Sequence, residues 1–217
     1  MIEILSEGIG LVVYLLCFVL ALARGFKLRT RLWVVLAFGY GCNLFAQLYW
    51  VGFMVVFGET PKYFYIADIG WAAQYLFLIM LLVECNIKRA PNPPLSAAWA
   101  PVVVSCFLCI YYIYIGNNVI ACLVDNILMA SIGFFAVKGL AEIKGDSRVA
   151  PNDPISNPLS ENRAFAGMCL AFVVVELGLW TASCFSSTSA IAYAIFDFAL
   201  FATQAGMLAC AWKSEDI

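Results

Sequence analysis

Four carboxylates stand inside apolar runs of this chain, well away from the ends of those runs: Asp68, Asp125, Glu176 and Asp197. No lysine or arginine lies inside the same runs. An ionised acid near the centre of a bilayer costs about 3 kcal/mol on insertion scales, so such groups turn toward a bundle interior and find a partner. With no base at hand, the partner is a proton, a set of neutral hydrogen-bond donors, or a cation supplied from outside the protein. Residues three, four and seven positions apart share a helix face. On that rule one stripe holds Tyr40, Asn43, Gln47, Trp50 and Met54. A second holds Asp68, Trp71 and Tyr75, with Gln74 displaced around the helix. Further stripes hold Glu176, Trp180 and Ser183, and Asp197, Phe201 and Gln204, while Asp125 stands beside Asn126. Carboxylates and aromatic ring faces both attract cations. The pattern therefore predicts an outward-facing acidic and aromatic cavity for a cationic or proton-coupled small solute. Its expected lining is Asn43, Gln47, Trp50, Asp68, Trp71, Tyr75, Asp125, Glu176, Trp180, Asp197 and Gln204. The competing reading is structural: Asn, Gln and protonated acids also bridge transmembrane helices, each contributing about 0.6 kcal/mol.

The elements that must position these side chains follow from composition. The chain has 217 residues, 64% hydrophobic and 12% charged, with a mean hydropathy of +0.92. Soluble domains carry about a quarter charged residues. About 20 apolar residues cross a bilayer as a helix, and seven such runs occur: Leu5–Ala23, Trp33–Phe57, Phe64–Val83, Ala97–Ile115, Val119–Val137, Ala164–Phe185 and Ile191–Trp212. The expected fold is an all-α integral membrane protein, a single seven-helix domain over residues 1–217. Within these 217 residues little is left for a soluble catalytic or nucleic-acid-binding domain. The opening residues contain Glu3 and Glu7 and no basic residue, so the first run reads as a retained helix rather than a cleaved signal.

Eleven of the 12 basic residues fall on one side of these spans: Arg24, Lys27, Arg29, Arg31, Lys88, Arg89, Lys138, Lys144, Arg148, Arg163 and Lys213, leaving Lys62 on the other. Short cytoplasmic loops concentrate Lys and Arg, which places the N-terminus outside and the C-terminus inside. Tyr63, Phe64, Tyr65, Tyr111, Tyr112 and Tyr114 read as the outer aromatic belt, and Trp33 and Trp212 as the inner one. The longest connection, Gly145 to Asn162, is rich in Pro, Asn, Ser and Asp and reads as an irregular cytoplasmic loop.

The absence of histidine excludes histidine-ligated haem, histidine-zinc hydrolases and serine-histidine proteases. The nine cysteines are spread through the helices and read as packing residues. Cys106 and Cys109 stand one turn apart, with no second pair or histidine to complete a metal site. No cofactor is expected. A retinal pigment is excluded because the seventh span has no lysine before Lys213, and an intramembrane aspartyl protease is disfavoured because no span holds GxGD. A lipid-modifying enzyme using paired acids lacks a nucleophile–base pair.

The first three and last three spans can be laid over one another. AQLYW (Ala46–Trp50) faces VELGLW (Val175–Trp180), and ADIGWAAQ (Ala67–Gln74) faces FDFALFATQ (Phe196–Gln204). Parallel repeats of this kind build transporters with a site near the midplane. The halves would run over about 5–85 and 119–212, with 97–115 as the linker helix. On these segments and its three-plus-one-plus-three layout, the chain resembles the SWEET sugar transporters and the wider PQ-loop clan. That resemblance implies substrate contacts from Asp68 and Asp197 on the third and seventh helices, with Trp50 and Trp180 on the second and sixth. The chain departs from the family in lacking prolines in helices one, two, five and six, and in carrying Asp where the family has Asn. The segment from Ala67 to Tyr75 also resembles third helices of membrane-sensing modules in bacterial signalling proteins. The expectation is therefore a small transporter or solute-binding protein of the bacterial cytoplasmic membrane, not an enzyme, surrounded by lipid. The alternative is a receptor-like sensing or assembly subunit acting through a partner protein. Self-association or a membrane partner fits either reading.

Overall fold

In hydrocarbon every backbone N–H and C=O must be satisfied within the chain, which leaves the helix as the economical way for an apolar run to cross. The computed structural model describes residues 2–59, 61, 66–87, 96–115, 118–141, 163–184 and 190–213. They form α1 (Ile2–Leu28), α2 (Arg31–Phe57), α3 (Ile66–Ile87), a 3-10 turn (Ser96–Trp99), α4 (Ala100–Tyr114), α5 (Val119–Ala141), α6 (Arg163–Ser183) and α7 (Ala190–Lys213). Seven helical segments, with the 3-10 turn continuing into α4, are long and apolar enough to cross a membrane. All seven expected spans are present. α1 extends past its apolar run in both directions, to Ile2 and Leu28, so that Glu7 lies a full turn inside the helix. Lys62, Tyr63, Phe64, Tyr65, Lys88, Arg89, Lys144, Arg148 and the loop from Gly145 to Asn162 lie outside the described residues.

α1 and α2 are joined by two residues, Arg29 and Thr30, and form an antiparallel pair. α2 ends at Gly58, whose φ of 72° is left-handed and whose N–H bonds the Met54 carbonyl at 3.0 Å. Glycine adopts that conformation without steric cost. Six helices close a ring: α1 packs on α2, α2 on α3, α3 on α5, α5 on α6, α6 on α7, and α7 on α1. α4 stands outside the ring against α5, with Trp99 edge-on to Phe134 at 5.2 Å and the Cys109 thiol directed at the Cys122 carbonyl at 3.5 Å. At the α2–α3 crossing the backbones come close. A Cβ at Gly70 would lie 2.9 Å from the Cys42 carbonyl oxygen and 2.8 Å from the Ala46 Cβ.

The apolar core fills one end of the ring. It is built from Ala21 on α1, Trp33 and Leu36 on α2, Leu81 and Leu82 on α3, Ile132 and Ala136 on α5, Phe165 and Cys169 on α6, and Met207 and Ala211 on α7. The aromatic pattern places Trp33 at the inner lipid interface, but the structure buries it fully. It meets Trp212 edge-on at 5.8 Å, and the Arg24 guanidinium lies 4.3 Å above the Trp212 ring. This α1–α7–α2 stack seals the basic end of the bundle. Tyr112, assigned by the same pattern to the outer aromatic belt, is likewise fully buried. Its hydroxyl pairs with Thr181 Oγ1 at 2.8 Å and reaches the Leu177 carbonyl at 3.1 Å, tying α4 to α6. Tyr111 and Tyr114 are exposed as an interfacial belt requires.

Candidate functional site

Polar side chains gather in the other half of the ring, and Glu176 is at their centre. It is 7% exposed. The Tyr75 hydroxyl donates to its Oε1 at 2.7 Å, and the indole N–H of Trp180, one turn further along α6, also bonds its carboxylate. The second oxygen, Oε2, is buried without a hydrogen-bond partner. Beside it Asn126, 5% exposed, donates through Nδ2 to the Cys122 carbonyl one turn back at 2.8 Å. That bond fixes the orientation of the amide and leaves Oδ1 buried and unpartnered. Tyr75, Tyr112, Asp125, Asn126, Met129, Glu176, Leu177 and Trp180 line a crevice of about 10 Å³, room for one water-sized particle. Asp125 lies within electrostatic reach of Glu176 and of Asp68.

A second cluster joins α1, α2 and α7. Glu7 is 5% exposed, and the Gln47 amide donates to its carboxylate and, at 3.3 Å, to its carbonyl. The neighbouring Ser6 hydroxyl donates to Asp197 Oδ2 at 3.2 Å. Tyr14 stands between the two clusters. It is buried and bonded to Asn43, and it lies within electrostatic reach of Glu7 and Asp197 on one side and Glu176 on the other. Tyr75 in turn senses Asp125, Glu176 and Tyr14. Deeper in the ring, Tyr40 donates to the Gln204 carbonyl at 2.7 Å. The Gln204 side-chain amide is fully buried, with both polar atoms unpartnered.

The structure thus distributes the expected residues among distinct places. Tyr75, Asp125, Glu176 and Trp180 come together around one crevice. Asn43 and Gln47 serve the α1 side through Tyr14 and Glu7, and Asp197 is tied to Ser6. Asp68 is half-buried, in reach of Asp125 but not on the crevice wall. Trp50 and Trp71 pack on each other at 5.4 Å, away from that wall. Ser183, placed on the Glu176 stripe, is exposed and bonds the Trp180 carbonyl. Sequence reasoning missed Glu7, Ser6, Tyr14 and the part played by Tyr112. A signal existed for Tyr14: it stands seven residues after Glu7, on the same helical face.

The crevice can hold a proton, a water molecule or a small ion between two carboxylates. Among the described residues no group of three or more Cys, Asp or Glu is arranged to hold a metal ion. No protein-family model, no curated protein and no solved structure matches the chain.

Proposed function

We propose that this chain is a small membrane transporter for a cationic or proton-coupled solute, with Asp125, Glu176 and Tyr75 as its coupling centre. One observation carries the reading: Glu176 holds a buried carboxylate oxygen, Oε2, without a hydrogen-bond partner, and lines a water-sized crevice together with Asp125. The basic side chains of the described helices, Arg24, Lys27, Arg31, Lys138, Arg163 and Lys213, stand at the opposite helix ends. The positive charge that Glu176 and Asp125 call for comes from outside the protein. The N-outside, C-inside orientation puts the acidic half toward the exterior, where a proton or cation enters. The six-helix ring supports a two-fold repeat: each trio, α1–α2–α3 and α5–α6–α7, packs in chain order, α3 meets α5 as α7 meets α1, and α4 stands outside as a linker.

Uptake into proteoliposomes across a panel of amines, sugars and vitamins tests the reading. Asp125→Asn and Glu176→Gln are expected each to reduce uptake at least tenfold. Undiminished uptake in the double variant would remove the coupling centre. A receptor-like or assembly subunit is the second reading, favoured by the absence of room for an organic solute in the crevice. A partner that co-purifies in stoichiometric amount, without any uptake, would establish it.

A further inference from the structure

The basic side chains are not spread evenly over the helix ends. Arg24, Lys27, Arg29 and Arg31 crowd the two-residue turn that joins α1 to α2. Lys213 ends α7 beside the same turn, because its neighbour Trp212 meets Trp33 of α2 and lies under the Arg24 guanidinium. Arg24 is held on that ring, whereas Lys27, Arg29, Arg31 and Lys213 are exposed. Among the described residues no carboxylate pairs with any of these four, and Glu84 on α3 is the one acid at this end of the bundle. The backbone adds to the positive charge. Thr30 caps the start of α2 without a side-chain hydrogen bond, and the first turn holds no acid, so the positive end of the helix dipole stays uncompensated. Arg29 has a φ of 53° and closes α1 through its N–H to the Gly25 carbonyl at 2.8 Å. Glycine or asparagine ordinarily takes that left-handed position, and here it carries a guanidinium.

Apolar side chains continue from the charges along the membrane face of the same helices. Arg31, Val34 and Phe38 lie three and seven positions apart on one face of α2, and all three are exposed. Val34 borders the seam with α1, where a Cβ at Gly25 would meet its Cγ2 at 3.6 Å. Phe38 stacks on Phe77 of α3 at 6.1 Å. Phe26 and Leu28 are exposed on the α1 side of the turn. A small inorganic anion would use the charges and leave the apolar stripe bare. A zwitterionic lipid would cover the stripe but brings its own cation to a place that is already basic. A lipid with net negative charge meets both demands, since basic clusters at helix ends attract anionic headgroups. We propose that the α1–α2 turn and the end of α7 hold the headgroup of an anionic phospholipid, whose acyl chains lie along Val34 and Phe38. The site is independent of the solute reading above.

The test uses the purified full-length protein in neutral detergent micelles, titrated with phosphatidylglycerol or phosphatidylcholine while thermal unfolding is followed by tryptophan fluorescence. Phosphatidylglycerol is expected to raise the unfolding temperature saturably, and phosphatidylcholine or inorganic phosphate at equal concentration is not. Arg31 and Arg163 form a matched pair, each exposed and each the first residue of its helix. Arg31→Gln should move the phosphatidylglycerol midpoint about fivefold upward, the worth of one surface charge, and Arg163→Gln should leave it within about twofold. The triple variant Lys27→Gln, Arg29→Gln, Arg31→Gln should lose the preference for phosphatidylglycerol, and intact-mass spectrometry of protein released from the micelles should find less of that lipid retained. Equal shifts with the two lipids would overturn the proposal. Equal weakening by Arg31→Gln and Arg163→Gln would also overturn it, by reducing the effect to overall charge. An equal response to inorganic phosphate would overturn the lipid and leave an anion site.

Discussion

Replacing Tyr75 with Phe removes one hydroxyl and little else. The ring stays against Phe172, 5.8 Å away, while Glu176 Oε1 loses the donor that sits 2.7 Å from it. The magnitude depends on the charge that Glu176 carries. A hydrogen bond to an ionised group contributes about 1.5–3 kcal/mol, whereas neutral bonds between transmembrane helices average about 0.6 kcal/mol. Glu176→Gln keeps an acceptor at the same place and cancels the charge. Tyr75→Phe should therefore cost about 2 kcal/mol in the native chain and about 0.6 kcal/mol in the Glu176→Gln background. The resulting coupling of about 1.4 kcal/mol corresponds to a factor of about ten in the unfolding equilibrium. Unfolding titrations in mixed micelles, followed by tryptophan fluorescence for the native chain, both single variants and the double variant, measure this coupling. A coupling below about 0.5 kcal/mol, the usual scatter of additivity, would mean that Glu176 behaves as a neutral group, and the argument that it calls for an external cation would fail.

On the α1 side, Gln47→Leu removes the amide that donates to the buried Glu7 carboxylate and should cost about 1–3 kcal/mol. Glu7→Gln keeps an amide partner for Gln47 and should cost less; the same titration ranks the two, and the reverse order would refute the pairing. Gly70→Ala forces a Cβ against the Cys42 carbonyl and should cost about 1–3 kcal/mol. Gly52→Ala, with nothing within 4 Å of the added Cβ, should be neutral or stabilising by about 0.4–1 kcal/mol. For orientation, Glu59→Cys adds a thiol at an exposed position and should react with a membrane-impermeant maleimide in intact cells; labelling that requires lysis would reverse the assigned orientation.

The seven spans were legible because hydrocarbon leaves a chain so few ways of crossing it, and the inward stripe of α2 because polar side chains in an apolar helix turn away from lipid. Tyr40, Asn43, Gln47 and Met54 are all buried as that rule demands. What the pattern could not supply was the assignment of neighbours. In a membrane helix the lipid face and the core face are both apolar, so periodicity says little about which side meets which helix. Tyr112 shows the consequence: its position near a helix end reads as an interfacial aromatic, and its burial depends on α4 lying against α5 with α6 in reach. Glu7 fails for a different reason. An acid near the start of an apolar run is ordinarily interfacial. Here α1 begins at Ile2, and the Gln47 side chain of α2 accepts Glu7 into the bundle. Neither fact is local to the first run.

The separation of the bundle into two halves gives the acids their consequence. Glu7, Tyr14, Asn43, Gln47, Tyr75, Asp125, Asn126, Glu176 and Asp197 occupy one half, while Trp33, Leu81, Leu82, Ile132, Phe165 and Met207 close the other without a polar side chain among them. A charge arriving at Glu176 would next meet a packed apolar plug, where burying it unpaired costs far more than it does beside Asp125. On the transport reading proposed above, passage through the ring would therefore not be a slide along a continuous polar path. It needs the plug to part, and the stack of Arg24, Trp212 and Trp33 bridges the three helices, α1, α7 and α2, that would have to separate.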